Sequence, residues 1–327
     1  MALVDNAPGS GRYEVLKATL RYLYNIPFKS EADGTLTMPR LDSILEAVRG
    51  CSVEESVVNE RIYCFAEHII NSLFIPILAE GGKTEAPPTK LVTPHGSAVP
   101  VGSVHGRLAL FRDSLIDREG GRCAITGHID TNILDTMLLA DPTLDEDSMG
   151  DSSHCEGAHI IPHGRNEAGG GGALSESKKY FWTLLGMFAP QLGMLVLAEN
   201  IDKPYNGLFL THDRHKDFGA LKIWLEETQT ADTYILRKAR RHNLPRELKE
   251  KKLDKPITFK NHAEKDIDLP NEYLLKIHAS LARILEASGA AEYVEHLLRE
   301  TDKITALSDD VTDLTAFFAS RGLVEVR

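Results

Sequence analysis

Two short stretches concentrate the side chains able to hold a metal ion or move a proton. CEGAHIIPHG, residues 155–164, carries Glu156, His159 and His163 around an apolar pair, and NGLFLTHDRH, residues 206–215, carries Asn206, His212 and His215. A strand bearing a histidine, a turn supplying an asparagine and a helix bearing a second histidine make a compact hairpin plus helix. Such a unit can bind one divalent cation and aim a water molecule. Here those parts are His159, Asn206 and His215, with Glu156, His212 and His163 as further candidate ligands. His212 and His215 are three apart and so share one helix face. Each piece has a plainer meaning alone. A histidine ending an apolar strand is usually a satisfied structural side chain, and Asn-Gly is a turn signal in its own right.

The elements that must position these groups can be read from periodicity and breakers. GLFL reads as a brief apolar strand that leaves the Asn206-Gly207 turn and enters a helix near Thr211 or Asp213. Upstream, RLALFRDSLIDR predicts a short helix, Gly120-Gly121 a turn, and RCAIT a strand. DPTLDEDSMGDSSH (141–154) is acidic and rich in breakers, so it reads as an exposed loop. Gly169 to Gly172 lack both a following Gly-Lys-Ser/Thr and a strand leading in, and read as a flexible insertion rather than a phosphate loop. Trp182, Leu185, Phe188 and Leu192 fall at helical spacing and read as core. LPNEYLLKIHASLARILEASGAAEYVEHLLRETD predicts two amphipathic helices divided near Ser288-Gly289. Residues 12–80 carry helical periodicity, and 81–106 are rich in Gly, Pro, Ser and Thr. The expected organisation is therefore an N-terminal helical region over 1–100 ending in a linker, a core over 101–230 with an insertion near 165–200, and a C-terminal helical region over 231–327.

Composition bounds the function. The chain has 327 residues, 42% of them hydrophobic and 26% charged, so a folded core is expected. Its formal net charge of -11 repels a polyphosphate unless the cations cluster. They do so once, in RKARRHNLPRELKEKK (237–252). There Arg237, Lys238, Arg240 and Arg241 lead a run with a local charge of about +6, which no aromatic residue interleaves. Such a run is either a solvated face or a phosphate-holding groove with little base readout. The four cysteines form no CxxC pair, which argues against a disulfide framework, and Cys123 and Cys155 read as buried thiols rather than arms of a zinc knuckle. No apolar run approaches the roughly 20 residues of a membrane span, and no secretory pattern opens the chain. The expectation is an intracellular protein with no membrane partner; nucleus and cytoplasm are not separated by the sequence, nor is the oligomeric state.

The order of the parts resembles the HNH family of ββα-metal nucleases, and more narrowly the fungal HNH-domain proteins. In those, CxxTG, AHIIP, an Asn-bearing turn and an LxxxxHxxF helix recur. Here they stand as CAITG (123–127), AHIIP (158–162), YNGLFL (205–210) and LTHDRHKDF (210–218), within a resemblance running from about Arg112 to about Asp302. The resemblance implies an α+β fold, predominantly helical, with a ββα-metal core embedded between helices. It implies a general base at His159, an asparagine at Asn206 that orients the hairpin or touches the metal shell, and a metal ligand at His215. It also implies a divalent metal, Mg²⁺ first, with Mn²⁺ or Zn²⁺ admitted by histidine ligation, and nucleic acid as partner.

Many members carry an acid immediately before the base, where this chain has Ala158. Glu156 stands three positions ahead of His159, the offset of the related DRGH-type nucleases, and ranks after His215 and before His212 and His163 as a ligand. Three functions follow: a metal-dependent phosphodiester hydrolase, a metalloenzyme on the same scaffold acting on a small molecule, or a catalytically silent interaction module.

Overall fold

The computed structural model describes residues 53–81, 104–163, 176–196 and 198–305, together with Thr19. The periodic segments before residue 53, most of the Pro/Gly-rich connection, the four glycines 169–172 and the tail beyond 305 lie outside the described residues. The fold is α+β. The chain divides into two compact units, one drawn from residues 1–79, 165–194 and 283–327 and the other from 80–164 and 195–282.

The first unit is helical where it is described. Helix Glu55–Ile69 continues through a π-helical turn, Ile70–Phe74, into helix Ile75–Glu80. Pro76 has no N–H to return to the preceding turn, which accounts for the widened ladder there. Ile75 packs with Val294 and Leu297 of helix Ala290–Thr305, and helix Glu176–Phe188 buries Phe181, Leu185 and Phe188. The stretch Glu55–Glu80 has a mean hydropathy of 1.5 over its most apolar window and is long and apolar enough, by length and composition, to cross a bilayer. Reading for uninterrupted apolar runs overlooks it because charged residues such as Glu60, Arg61 and Glu67 punctuate the sequence.

The second unit carries the hairpin. Helix α1 (Val104–Arg118) leads to strand β1 (Ile129–Asp130) and helix α2 (Thr131–Ala140), and β1 pairs in parallel with β2 (Ser152–Ser153). Asp130 is fully buried and serves three amides. Its Oδ1 accepts from Asn132 N and Ile133 N to cap α2, and its Oδ2 accepts from Cys155 N at 2.8 Å to fix the start of strand β3 (Cys155–His159). β3 pairs antiparallel with β4 (Gly207–Thr211), Cys155 opposite Thr211 and His159 opposite Gly207. Helix α3 (His212–Gly219) follows directly, so the strand-then-helix reading of GLFLTHDRH matches the structure.

CAITG differs from the expected strand. Cys123 N donates to His128 O at 2.8 Å and Gly127 N to Cys123 O at 2.9 Å, closing a turn with Gly127 at a φ of 82°. The Cys123 Sγ accepts from the amides of Thr126 and Thr211, each at 3.4 Å, which ties that turn to the end of β4. Cys123 and Cys155 are buried free thiols, and burial pushes the Cys155 thiol far up. A second departure lies in strands β5 (Ile223–Glu227), β6 (Thr233–Lys238) and β7 (Pro256–Thr258), which form an antiparallel sheet in a stretch partly assigned to the helical C-terminal region. Ile223, Trp224 and Leu225 are all buried, so β5 lacks the alternation that marks a half-exposed strand. Helix α4 (Arg246–Lys251) precedes β7 and helix α5 (Glu272–Ser288) follows it, and Gly289, at a φ of 68°, ends α5 where the sequence placed the break.

Two glycines let α1 lie against the hairpin backbone. Phe111 and Leu115 of α1 face Gly157 and Gly207, and a Cβ built on Gly207 would stand 2.5 Å from Phe111 Cε2 and 2.9 Å from Leu115 Cδ1. An aromatic ring and the helix behind it cannot yield that much. Gly207→Ala should lower stability by about 1–3 kcal/mol in urea unfolding, the usual cost of overpacking. An unchanged midpoint would refute this close packing.

On the other end of α3, the Phe218 ring stacks on the fully enclosed imidazole of His278, with centroids 3.7 Å apart, and Phe218 O accepts from His278 Nε2 at 3.0 Å. Burial pushes the His278 pKa down from 6.5 to about 4. As pH falls from about 6.5 to about 4, the unfolded chain takes up a proton that the folded chain refuses. Stability should therefore decline across that window, by up to about 3 kcal/mol. In His278→Leu the urea midpoint should depend less steeply on pH over the same range; an equally steep decline would contradict the assignment.

Candidate active site

The candidate residues fall toward the two ends of the β3–β4 hairpin: Glu156 near the start of β3, beside the start of α3, and His159 at the end of β3, opposite the start of β4. Two carboxylates organise them. Glu156, on β3, accepts through Oε1 from His212 Nδ1 at 2.7 Å and through Oε2 from His215 Nδ1 at 2.8 Å. His215 is buried, whereas half of the His212 side chain is exposed, so the cluster is open on the His212 side. Both histidines come from α3, and the antiparallel register that sets Glu156 opposite Leu210 delivers them to the carboxylate.

The second carboxylate is Asp202, which closes a 3-10 turn, Ala198–Asp202, ahead of β4. Its Oδ1 is 3.1 Å from His159 Nε2 and 2.6 Å from His163 Nδ1, and its Oδ2 accepts from Arg107 Nε of α1 at 3.1 Å. Burial acting alone raises the pKa of Asp202, but hydrogen bonds from His159 and His163 outweigh it and hold the carboxyl far below the usual range. Asp202 is thus ionised and accepts the Nε2 proton of His159, which leaves His159 Nδ1 as a lone-pair acceptor. Phe111 stacks on the His159 ring at 4.1 Å, so the imidazole is held by an edge and a face. Burial lowers the His159 pKa more than Asp202 raises it, and the neighbouring His163 and His215 lower it further. His159 is therefore neutral at physiological pH, and His215 is among the groups that lower its pKa.

Asn206 is fully buried and touches neither cluster. Its Oδ1 accepts from Ile161 N at 3.0 Å, and its Nδ2 donates to Ile161 O at 3.1 Å and Ile201 O at 2.8 Å. It clamps the chain just beyond His159 to the turn that carries Asp202. Arg118 acts alongside it: buried at 0% exposure, it donates to the carbonyls of Pro204 and Gly207, each at 2.7 Å, and to Asp268 O at 3.0 Å, fixing the start of β4.

Arg237 and Lys238 lie on β6 and Arg240 and Arg241 in the turn after it. Arg237 is matched by Glu226 at 2.8 Å and by Asp254, Arg246 by Glu250 at 2.6 Å, and Lys251 by Glu247, so much of the run's positive charge is met locally.

Asp202, Arg107, Phe111 and Arg118 escaped the sequence reading. A carboxylate four residues ahead of the asparagine was the available signal for Asp202; the three α1 residues are brought in by tertiary packing alone. Asp202→Asn keeps the volume but lets the wrong tautomer of His159 form. Turnover on a cleaved substrate should fall about 100-fold with substrate affinity little changed, and the acid limb of the pH–rate profile should move lower because Asp202 raises the His159 pKa. A profile that stays in place would assign Asp202 a merely structural role.

Both clusters have donor sets suited to a divalent cation, one carboxylate and two imidazoles each. The ligand atoms of His159, His163 and Asp202 all lie within 4.8 Å of one another, the three-residue group of that compactness among the described residues. Residues 123–226 match the family described as HNH endonuclease, and this segment spans CAITG, both carboxylates, the hairpin and α3. The match supports an HNH-nuclease domain over residues 123–226. No curated protein and no solved structure matches the chain.

Proposed function

We propose that this protein is a divalent-metal-dependent phosphodiester hydrolase acting on nucleic acid, with His159 as the general base. The observation that carries the reading is the orientation of His159. Its Nε2 is bound to the ionised Asp202 and its face is stacked on Phe111, and the same hairpin-plus-helix unit carries the Glu156–His212–His215 cluster. The Asn-bearing turn and the match to HNH endonucleases support the same reading.

Glu156 and His215 would hold the cation, with His212 on their open side as a further ligand. Mg²⁺ is the working ion, with Mn²⁺ and Zn²⁺ accommodated by the imidazoles. When bound, the cation supplies Lewis-acid stabilisation of the charge that builds on the phosphate and the departing 3′-oxygen. His159 Nδ1 takes the proton of the attacking water, and Asp202 stabilises the imidazolium that results. Phe111 covers one ring face and holds the plane in which the Nδ1 lone pair lies. Ala158, which stands where many family members have an acid, contributes no ligand, and Glu156 takes that part from two residues earlier on the strand. The two buried free thiols are consistent with an intracellular, reducing setting.

A second reading places the ion between His159, His163 and Asp202, favoured by the mutual approach of their donor atoms within 4.8 Å. It removes His159 from the role of base. Incubation of supercoiled plasmid and of single-stranded RNA with Mg²⁺, Mn²⁺ or Zn²⁺ tests the function common to both. Cleavage of at least one substrate, stopped by EDTA, is the expected result; intact plasmid and RNA with every ion would overturn it.

A further inference from the structure

Beside the Glu156 cluster the second unit contains a cavity of about 600 Å³, to which Thr211 and His212 contribute one wall. This volume falls in the range usual for a ligand site, roughly 300–1,000 Å³. Its other walls carry Arg122 from beside the CAITG turn, His128 from just before β1, His154 from just after β2, and Lys252 from the end of α4.

Two observations give the cavity a chemical preference. Arg214 lines it with a side chain 8% exposed, and while its Nη2 lies 3.0 Å from Asp217, its Nη1 is buried without a hydrogen-bond partner among the described residues. A buried guanidinium nitrogen left in that state is costly, and an anionic oxygen from a ligand removes the cost. The charge balance on the walls also leans positive. Arg122 is met by the carbonyls of Gly127 and Met149 rather than by a carboxylate. Of the three acids present, Glu247 is engaged by Lys251, Asp151 stands 3.7 Å from His128, and Asp213 is the third, against four cations, Arg122, Arg214, Lys251 and Lys252. Flat imidazoles and the hydrocarbon of Leu248 offer the rest of the lining a surface for an aromatic ring.

We propose that this cavity is a subsite for one nucleotide unit of the substrate strand, its phosphate received by Arg214 and Lys252 and its base lying among His128, His154 and Leu248. The proposal rests on the nuclease reading above and deepens it. A base that enters such a cavity has left its duplex, so the substrate is single-stranded or locally unpaired nucleic acid. His212, shared between the cavity wall and the Glu156 cluster, sets this unit next to the scissile phosphodiester.

The test is calorimetric titration of the full-length protein with adenosine 5′-monophosphate in EDTA, so that cleavage plays no part, alongside inorganic phosphate and adenosine. Saturable binding of the mononucleotide, weaker binding of either half, and a loss of about tenfold or more in Lys252→Glu are expected. His154→Ala, at an exposed position, should weaken the mononucleotide and leave phosphate unaffected. Absence of mononucleotide binding, as when a water satisfies Arg214, would overturn the proposal, as would equal affinity in wild type and Lys252→Glu of unchanged melting temperature. Mononucleotide binding by a protein that cuts no nucleic acid would keep the subsite and remove the nuclease reading. Cutting without mononucleotide binding would do the reverse.

Discussion

His159→Ala should abolish cleavage, with turnover falling by about 10³–10⁴-fold while the protein remains folded and still takes up its cation. The size of the effect follows from the role. A positioned base supplies about 10²–10⁴-fold in rate, and here the substitution also discards the orientation provided by Asp202 and by the Phe111 stack. The structural cost is modest by comparison. The side chain is 13% exposed and sits at the end of β3, and Asp202 keeps His163 at 2.6 Å and Arg107 at 3.1 Å as partners. Activity in the wild type should persist below pH 6.5, because burial lowers the imidazole pKa and a base works when unprotonated. A variant that retains more than a tenth of wild-type turnover would exclude His159 as the base.

Much of this site is legible in the sequence, and the reason is local. β3, the Asn206 turn, β4 and α3 are set by runs of apolar residues bounded by breakers. Once the hairpin register is fixed, Glu156 must meet the first turn of the helix that carries His212 and His215. Asp202 and Arg118 were not legible for the opposite reason. Their partners lie 43 and 39 residues upstream in one case and 86, 89 and 150 residues downstream in the other, so no window of sequence contains both ends of the contact. The CAITG turn was misread as a strand because its apolar alternation is real, but Gly127 and the thiol of Cys123 redirect the backbone amides inward. The sheet β5–β6–β7 was missed through burial on both faces, which erases alternation in β5, and through the charge of β6, whose Arg237 is held between Glu226 and Asp254.

Glu156→Gln and His215→Ala should each weaken cation binding by about 100-fold or more. Loss of a residue that merely orients a ligand costs about 10–100-fold, so loss of a ligand itself should cost at least the upper end. In Glu156→Gln the two Nδ1 atoms of His212 and His215 lose a charged acceptor as well, leaving neutral imidazoles with an amide. The assignment of the metal to this cluster and of the base to His159 is tested most directly by titrating Mn²⁺ into wild type, Glu156→Gln, His215→Ala, His159→Ala and Asp202→Asn, with the bound ion read by paramagnetic resonance. One ion per chain, lost in the first two variants and retained in the last two, is the predicted result. Retention in Glu156→Gln and His215→Ala, with loss in His159→Ala and Asp202→Asn, would move the cation to the Asp202 cluster and contradict the account.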